Sequence, residues 1–493
     1  MARKWIEYPP VFLSAEEITS QVSRGVKAGE LRKLGPRLYT AQVSDAPEAV
    51  IQRNLWEVVG LLFPGTVVGY RTALEGRPSQ EGTVNVVGSY KRLVQLPGLA
   101  IRQSEGPGPL PGDQPFVGGL WLASRGRALL ECLRPTRASD AGSRSLPREE
   151  IERRVEQLVR ISGESAVNEL RDDARSLIRD LDAQSEFDDL DRIIGAILSS
   201  RTGPLTSPAA VARARGEPYD PGRFALFQEL HGALLRWPST PRLEPRQSGA
   251  AFSNAAFVDA YFSNYIEGTE FGVEEAVDIV FAGRIPEHQP EDAHDVLGTF
   301  RIVSSRDEMG LSMADKRGSF EDLVGTLRRR HETIMLARPD MRPGEFKETA
   351  NFAGATEFVR PELVVGTLRR GFEMFRSLAD PFARASFMMF MIAEVHPFLD
   401  GNGRIARLMA NAELLSQGHC RIIIPTVYRE DYLLALRALT RQGRADPFLR
   451  MLDRAQEFVS RVDFSDLDQA LAILRAANAF LEPSEGRLIL PPN

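Results

Sequence analysis

Between positions 396 and 407 stand His396, Asp400, the run Gly401-Asn402-Gly403, Arg404 and Arg407. An imidazole has a reference pKa of about 6.5, so it is largely neutral at pH 7 and can take a proton from an attacking hydroxyl. One carboxylate together with phosphate oxygens is a common way to hold Mg2+. Glycines let the backbone approach an anion, and the first N–H groups of a helix have no internal partner to satisfy them. Two guanidiniums three residues apart can add charge-assisted hydrogen bonds to the same polyphosphate. Together these residues suit nucleotidyl or phosphoryl transfer. The bland alternative is a Gly-rich turn between two helices with arginines on its surface.

The flanking stretches supply the two helices. Asp380-Pro381 reads as an N-cap and first-turn pair, and Phe382 to Val395 is almost wholly apolar, the pattern of a buried helix. After the loop, Ile405, Leu408, Met409, Ala412 and Leu415 recur at helical spacing until Gly418. Arg404, Arg407 and Asn411 share the opposite face.

Read in full, residues 396–407 are His-Pro-Phe-Leu-Asp-Gly-Asn-Gly-Arg-Ile-Ala-Arg, which resembles the signature of Fic-family proteins at each specified position. The resemblance implies that His396 is the base on a target Tyr, Thr or Ser hydroxyl and that Asp400 holds Mg2+. Gly401, Asn402 and Gly403 would surround the phosphates of ATP, with Arg404 and Arg407 on the β and γ groups. The implied product is a protein hydroxyl carrying AMP. Transfer of another nucleotide, or removal of AMP, is the nearest alternative. From a different class, the chain could be a DNA-binding regulator whose Fic domain senses nucleotide.

A second segment bears on the first. Ser263-Asn-Tyr-Ile-Glu267-Gly268 closes a predicted helix, and Ser263 and Glu267, four apart, share one face. An acid in a last turn is disfavoured by the helix dipole and invites a cationic partner. The segment resembles the inhibitory motif of autoinhibited Fic proteins. That resemblance implies a salt bridge from Glu267 to Arg407 that displaces the γ-phosphate. Further on, Pro343-Gly-Glu-Phe-Lys347 and Asn351 to Pro361 read as a hairpin. They resemble the family's flap, which lays a target segment beside the active site by strand pairing. Lys347 stands where that family commonly has Arg. Tyr432 lies where the resemblance would place a wall of the adenine pocket, whereas Arg444 departs from an expected acid. His231, His288, His294, His331 and His419 have no ligand-like spacing and read as packing or surface residues.

The chain has 493 residues, 43% hydrophobic and 26% charged, with a net charge of −6. That is ordinary for a globular protein and gives no general attraction to nucleic acid or anionic membrane. Cys132 and Cys420 are too few for a disulfide framework. Met1 to Pro10 lacks an apolar export core, and no apolar run approaches the roughly eighteen residues of a membrane span. A cytoplasmic protein is the expectation.

Ser14-Ala-Glu-Glu17 reads as a capping box starting a helix at Ala15, with a second short helix within 22–30. Two short strands follow around Gly35-Pro36, and the basic residues Arg24, Lys27, Arg32, Lys33 and Arg37 cluster there. A winged helix over 1–45 that binds DNA is one reading, and a small interaction domain is the other. The order of elements from Ala15 to Arg102 resembles the N-terminal half of abortive-infection antitoxins. The expected fold is therefore mainly α, a Fic-type helical core with a small β-hairpin flap, preceded by a winged-helix and small α/β module. The expected divisions are a winged helix over 1–45, a small α/β domain over 46–140 and a helical connector over 147–214. A catalytic domain over 215–460 would follow, with an inhibitory helix over 252–267, and then a C-terminal helix and tail over 461–493. Expected partners are a protein bearing a hydroxyl side chain, DNA through the N-terminal module, and a second copy of the chain.

Overall fold

The computed structural model describes residues 8–135, 142–244, 248–314, 318–354 and 356–492. Met1 to Glu7, six residues of the Ser/Arg-rich linker (136–141), and Ala355 in the hairpin lie outside the described residues. The chain forms two units, Met1–Gly216 and Glu217–Asn493. Among the described residues no helix is long and apolar enough to cross a membrane.

In the first unit a single helix, Thr19–Lys27, precedes the antiparallel strands Arg32–Gly35 and Leu38–Thr40, and Phe12–Leu13 pairs on the far side. The capping box at Ser14 does not form. The Ser14 N–H donates to Arg37 O at 2.8 Å, and its carbonyl accepts from the Arg37 guanidinium, so strand contacts claim this residue. A short 3-10 turn, Glu16–Ile18, stands where the helix was expected. Two of the five basic residues are spent internally. Arg32 donates to the carbonyls of Val43 and Asp45, and Arg37 to Ser14, whereas Arg24, Lys27 and Lys33 are exposed.

Beyond this lies a six-stranded mixed sheet in which Thr83–Gly88 runs parallel to Leu99–Glu105, and Val67–Val68 parallel to Leu120–Leu122. Thr83–Gly88 is buried along its whole length, which explains its near-continuous apolar sequence. Val58 to Phe63 falls largely in a helix, Leu55–Leu62. The expected division between 46–140 and 147–214 is not a break in packing. Leu146, Ile151, Val155, Leu190 and Ile194 share one core with Val67, Tyr70 and Leu129, so segments 46–140 and 147–214 belong together. A Ser/Arg-rich stretch reads as a linker because its polar composition says nothing about the helices beyond it.

This packing gives a first prediction. A fragment of residues 217–493 should be monodisperse with one cooperative thermal transition. A fragment of 141–493 should aggregate, since each bared Ile, Val or Leu forfeits about 1.5–3 kcal/mol of burial. Size-exclusion chromatography decides it, and equal behaviour of the two fragments would refute the shared core.

The second unit is helical. Pro381–Val395 is buried almost all round, and the Asp380 side chain caps it by accepting from the Ala383 N–H at 2.8 Å. Pro221–Leu234, Val364–Phe375 and Asn402–Leu415 pack against it. The helix expected over 252–267 spans Gly249–Ile266, started by the Ser248 side chain on the Ala251 N–H. The C-terminal piece is not a separate tail. Leu471 and Leu474 of the helix Leu467–Ala476 share a core with Phe257 and Phe262, and the Phe480 ring lies 5.1 Å from that of Phe262. Phe352–Ala353 and Thr356–Glu357 pair antiparallel as the expected hairpin.

Candidate active site

The buried helix ends at His396, whose backbone turns left-handed (φ 53°, ψ 60°) and swings the chain into the loop. Its ring stacks on Phe358, centroids 3.7 Å apart and planes within 8°. Nδ1 lies 3.2 Å from the Ala393 carbonyl, an acceptor, so Nδ1 carries the proton. Nε2 is then left with a free lone pair, the state a general base needs. Burial pushes the imidazole down to about 4, and the Lys347 ammonium pushes in the same direction, so it is neutral at pH 7.

Loop shape comes from side chains folded back onto it. Asn402 accepts from the Phe398 N–H at 2.8 Å and donates to the Phe398 carbonyl at 2.9 Å. It is 1% exposed, so its side chain shapes the cradle rather than reaching out to a phosphate, which narrows the role expected of it. Gly401 sits at φ 73°, and a Cβ there would come within 2.9 Å of Met335 Sδ. His331, given no role from sequence, braces the same loop. Its Nδ1 accepts from the Gly344 N–H at 2.9 Å, which places the proton on Nε2, 3.0 Å from the Asp400 carbonyl. Its ring stacks on Phe398 with centroids 3.8 Å apart, and burial pushes its pKa down to about 4.

The hairpin is tied to the loop as well. Lys347 N–H donates to the Pro397 carbonyl at 2.9 Å, and Lys347 Nζ donates to Asn351 Oδ1 at 2.6 Å. Asn351 in turn donates to the Phe398 carbonyl at 2.9 Å. Burial pushes the Lys347 ammonium down to about 8, with the Arg223 charge adding to the effect.

The two arginines are both buried, but on different partners. Arg404 Nη1 meets Asp295 Oδ2 at 2.6 Å, and the same carboxylate oxygen accepts from Arg338 Nε at 2.8 Å. Arg407 Nε donates to Ser263 Oγ at 3.0 Å. Its Nη2 donates to the Ser263 carbonyl and to Glu267 Oε1, both at 2.7 Å. So the structure brings Glu267, Ser263 and Arg407 together as the spacing of the first two and the resemblance implied. Gly268 follows the helix end at φ 98°. A Cβ on Gly403 would lie 2.1 Å from Glu267 Oε1, so the carboxylate rests directly on the cradle. The helix carrying it is pinned elsewhere. Asp259 Oδ2 accepts from Asn411 at 3.0 Å and Arg421 at 3.2 Å, and Arg429 caps the Ile266 carbonyl at 3.1 Å.

Asp400 is half exposed and lies 3.4 Å from Arg404 Nη2. Among the described residues no group of three or more His, Cys, Asp or Glu side chains could hold a metal. A lone accessible carboxylate fits a hard cation that arrives already held by phosphate oxygens. A cavity of about 430 Å3 opens over these groups, lined by Glu267, His396, Gly403, Arg407, Thr356 and Tyr432 among others.

Residues 324–414 match the model of the Fic/DOC family. A Fido domain-containing protein of Dictyostelium discoideum is 32% identical over 117 residues, covering 22% of this chain and 82% of that protein. The chain belongs to the Fic/DOC family. It is also similar to the protein adenylyltransferase fic-1 of Caenorhabditis elegans, 24% identical over 238 residues, 47% of this chain and 46% of that protein. It thus spans about half the length of that relative. A solved fragment of Fic-1 from C. elegans aligns over 67% of this chain and 90% of its own, with 19% identity and a TM-score of 0.37. The Fic/DOC match takes in His331, the hairpin, His396 and both arginines. Ser263, Glu267, Asp295 and Tyr432 lie outside it, so four of the groups surrounding its arginines come from flanking segments.

Proposed function

We propose that this chain is an autoinhibited protein adenylyltransferase that moves AMP from ATP to a Tyr, Thr or Ser hydroxyl of a target protein. The observation that carries this reading is a free His396 Nε2 beside a glycine cradle whose Arg407 is held by Glu267. His396 Nε2 takes the proton of the target hydroxyl as its oxygen attacks the α-phosphorus. The α–β bridging P–O bond breaks and pyrophosphate leaves. Backbone N–H groups at the start of Asn402–Leu415 bind phosphate oxygens. Asp400 would hold Mg2+, which supplies charge neutralisation at the phosphates when bound. The exposed hairpin, with Phe352 63% accessible, offers a strand edge to a target segment. While Glu267 holds Arg407, the γ-phosphate has no place on that guanidinium, and ATP sits unproductively.

A reducing, cytoplasmic setting belongs to this reading, since Cys132 and Cys420 are both buried free thiols. A DNA-binding regulator that senses nucleotide is the second reading, favoured by the exposed Arg24, Lys27 and Lys33 on and beside the first helix. Incubation with base-labelled ATP and Mg2+, followed by mass spectrometry of the chain and of lysate proteins, separates the two. Label that requires His396 supports the transferase. Salt-sensitive DNA binding with no transfer would replace it with the regulator.

A further inference from the structure

The helix that carries Glu267 is gripped on two faces. Ser263 and Glu267 meet Arg407 on one of them. Tyr265 lies about 200° round the helix from Glu267, at 3.6 residues per turn, and shares the far face with Tyr261. That face meets the segment after the helix Leu467–Ala476. The Phe480 ring stands 5.1 Å from Phe262 and 5.7 Å from Tyr261, and Tyr265 OH donates to Glu482 Oε1 at 2.6 Å. Burial and the Glu482 charge both push the Tyr265 phenol up, so it keeps the proton it donates.

The segment is a closed loop. Asn478 turns left-handed at φ 62° and donates from Nδ2 to the Arg487 carbonyl at 3.0 Å. The Ile489 N–H donates to the Ala477 carbonyl at 3.1 Å. Glu482 is fixed within the loop, because its N–H donates to Glu485 Oε2 at 3.1 Å and its carbonyl accepts from the Glu485 N–H at 2.9 Å. Leu481 and Ile489 leave the outer side exposed. The loop lies outside residues 324–414, so the family match does not account for it.

The helix end it touches needs support. Its last turn is closed by i→i−3 bonds, from the Glu267 N–H to the Asn264 carbonyl and from the Gly268 N–H to the Tyr265 carbonyl, both at 3.0 Å. The dipole disfavours an acid there, and helix ends open at little cost unless side chains tie them down. We propose that the loop Ala477–Ile489 is an autoinhibitory clamp, in which Glu482 and Phe480 are positioning residues that keep Glu267 on Arg407. The inference rests on the autoinhibited transferase reading and names what maintains its restraint. Lifting the loop frees Tyr265 and Phe262, the last turn opens, and Arg407 passes from the carboxylate to a phosphate. Arg429 still holds the Ile266 carbonyl, so the release is smaller than that produced by removing Glu267 itself.

Two variants of the full chain break the tie from its two ends, Glu482→Ala and Tyr265→Phe. Hydrogen exchange read by mass spectrometry should become faster over 262–268 in each and stay unchanged over 249–258. AMP incorporation should rise about threefold or more in each, the ratio expected for one lost hydrogen bond, and the double variant should add nothing to the singles. Glu482→Gln should stay within about twofold of wild type, because its amide oxygen still accepts from Tyr265. In a Glu267→Gly background Glu482→Ala should leave the rate unchanged, since the loop acts through Glu267, whereas a merely structural loss would lower the rate in both backgrounds. Unchanged exchange over 262–268, or an unraised rate in both single variants while Glu267→Gly gains, would overturn the clamp and leave the transferase standing. If no variant incorporates AMP, Glu267→Gly included, the transferase reading falls and exchange over 262–268 still decides the clamp.

Discussion

Replacing Glu267 by glycine should raise AMP incorporation about tenfold or more, because even a 1.4 kcal/mol preference for the restrained arrangement suppresses the active one by that factor. Glu267 is the last contact of its helix, its carboxylate 2.7 Å from Arg407 Nη2. Removing it leaves the rest of that helix in place. Phe257 and Phe262 stay in their core, Asp259 keeps Asn411 and Arg421, and Arg429 still caps Ile266. Ser263 still holds Arg407 through Oγ and the carbonyl, so the guanidinium stays over the cradle with the one Nη2 N–H that had met Glu267 open to a phosphate. The gain should appear in turnover far more than in ATP affinity, since on the proposed reading the wild type binds ATP in a misplaced pose. Glu267→Gly combined with Arg407→Ala should lose the gain, because carboxylate and phosphate compete for one side chain. Rates of AMP incorporation for wild type, both single variants and the double variant decide it. Equal rates in folded wild type and Glu267→Gly would end the autoinhibition claim and leave the transferase intact.

The contrast between Glu267 and His331 shows what the sequence can reveal. The loop from His396 to Arg407 was legible because its parts are local: base, carboxylate, glycines and arginines fall within twelve residues and one helix start. Glu267 is 140 residues from Arg407, and only the spacing of Ser263 and Glu267 on one face, with the family resemblance, pointed to the pair. His331 has no such signal. Its role depends on Gly344 and Asp400 meeting its two ring nitrogens from opposite sides, which only the folded chain arranges. Asp295 was equally silent. Beside Glu291 and Asp292 it reads as a solvated helix face, yet it is 1% exposed and holds Arg404. At the N-terminus the error ran the other way, since a sound local capping signal at Ser14 lost to hydrogen bonds with Arg37. Pairings made across sequence override local preference wherever the two compete.

His396→Ala should abolish transfer, by about 10² to 10⁴-fold for a lost general base, and leave ATP affinity within a few-fold. On the proposed reading the phosphates rest on the glycine cradle at the start of Asn402–Leu415 and not on the imidazole. The pH dependence should be distinctive. Burial holds His396 down to about 4, so its neutral form is already complete at pH 6, and turnover should stay nearly flat from pH 8 to pH 6. Stability carries the matching signature. His396 and His331 are both held down to about 4 when folded, against about 6.5 when unfolded. Between those values the unfolded chain binds more protons, so the stabilising contribution is complete above about 6.5 and is lost as pH falls towards 4. His396→Ala removes one of the two groups and should flatten the fall of the thermal midpoint between pH 6.5 and pH 4.5, whereas at pH 8 the midpoint should shift by the lost stacking on Phe358 and the lost hydrogen bond to the Ala393 carbonyl. A wild-type rate that drops tenfold between pH 7.5 and pH 6 would mean that the ring titrates near 6.5 and is not held neutral by burial. Substantial turnover by the folded His396→Ala protein would remove the base assignment altogether, because among the described side chains lining the cavity none but His396 has a ring nitrogen poised to accept a proton.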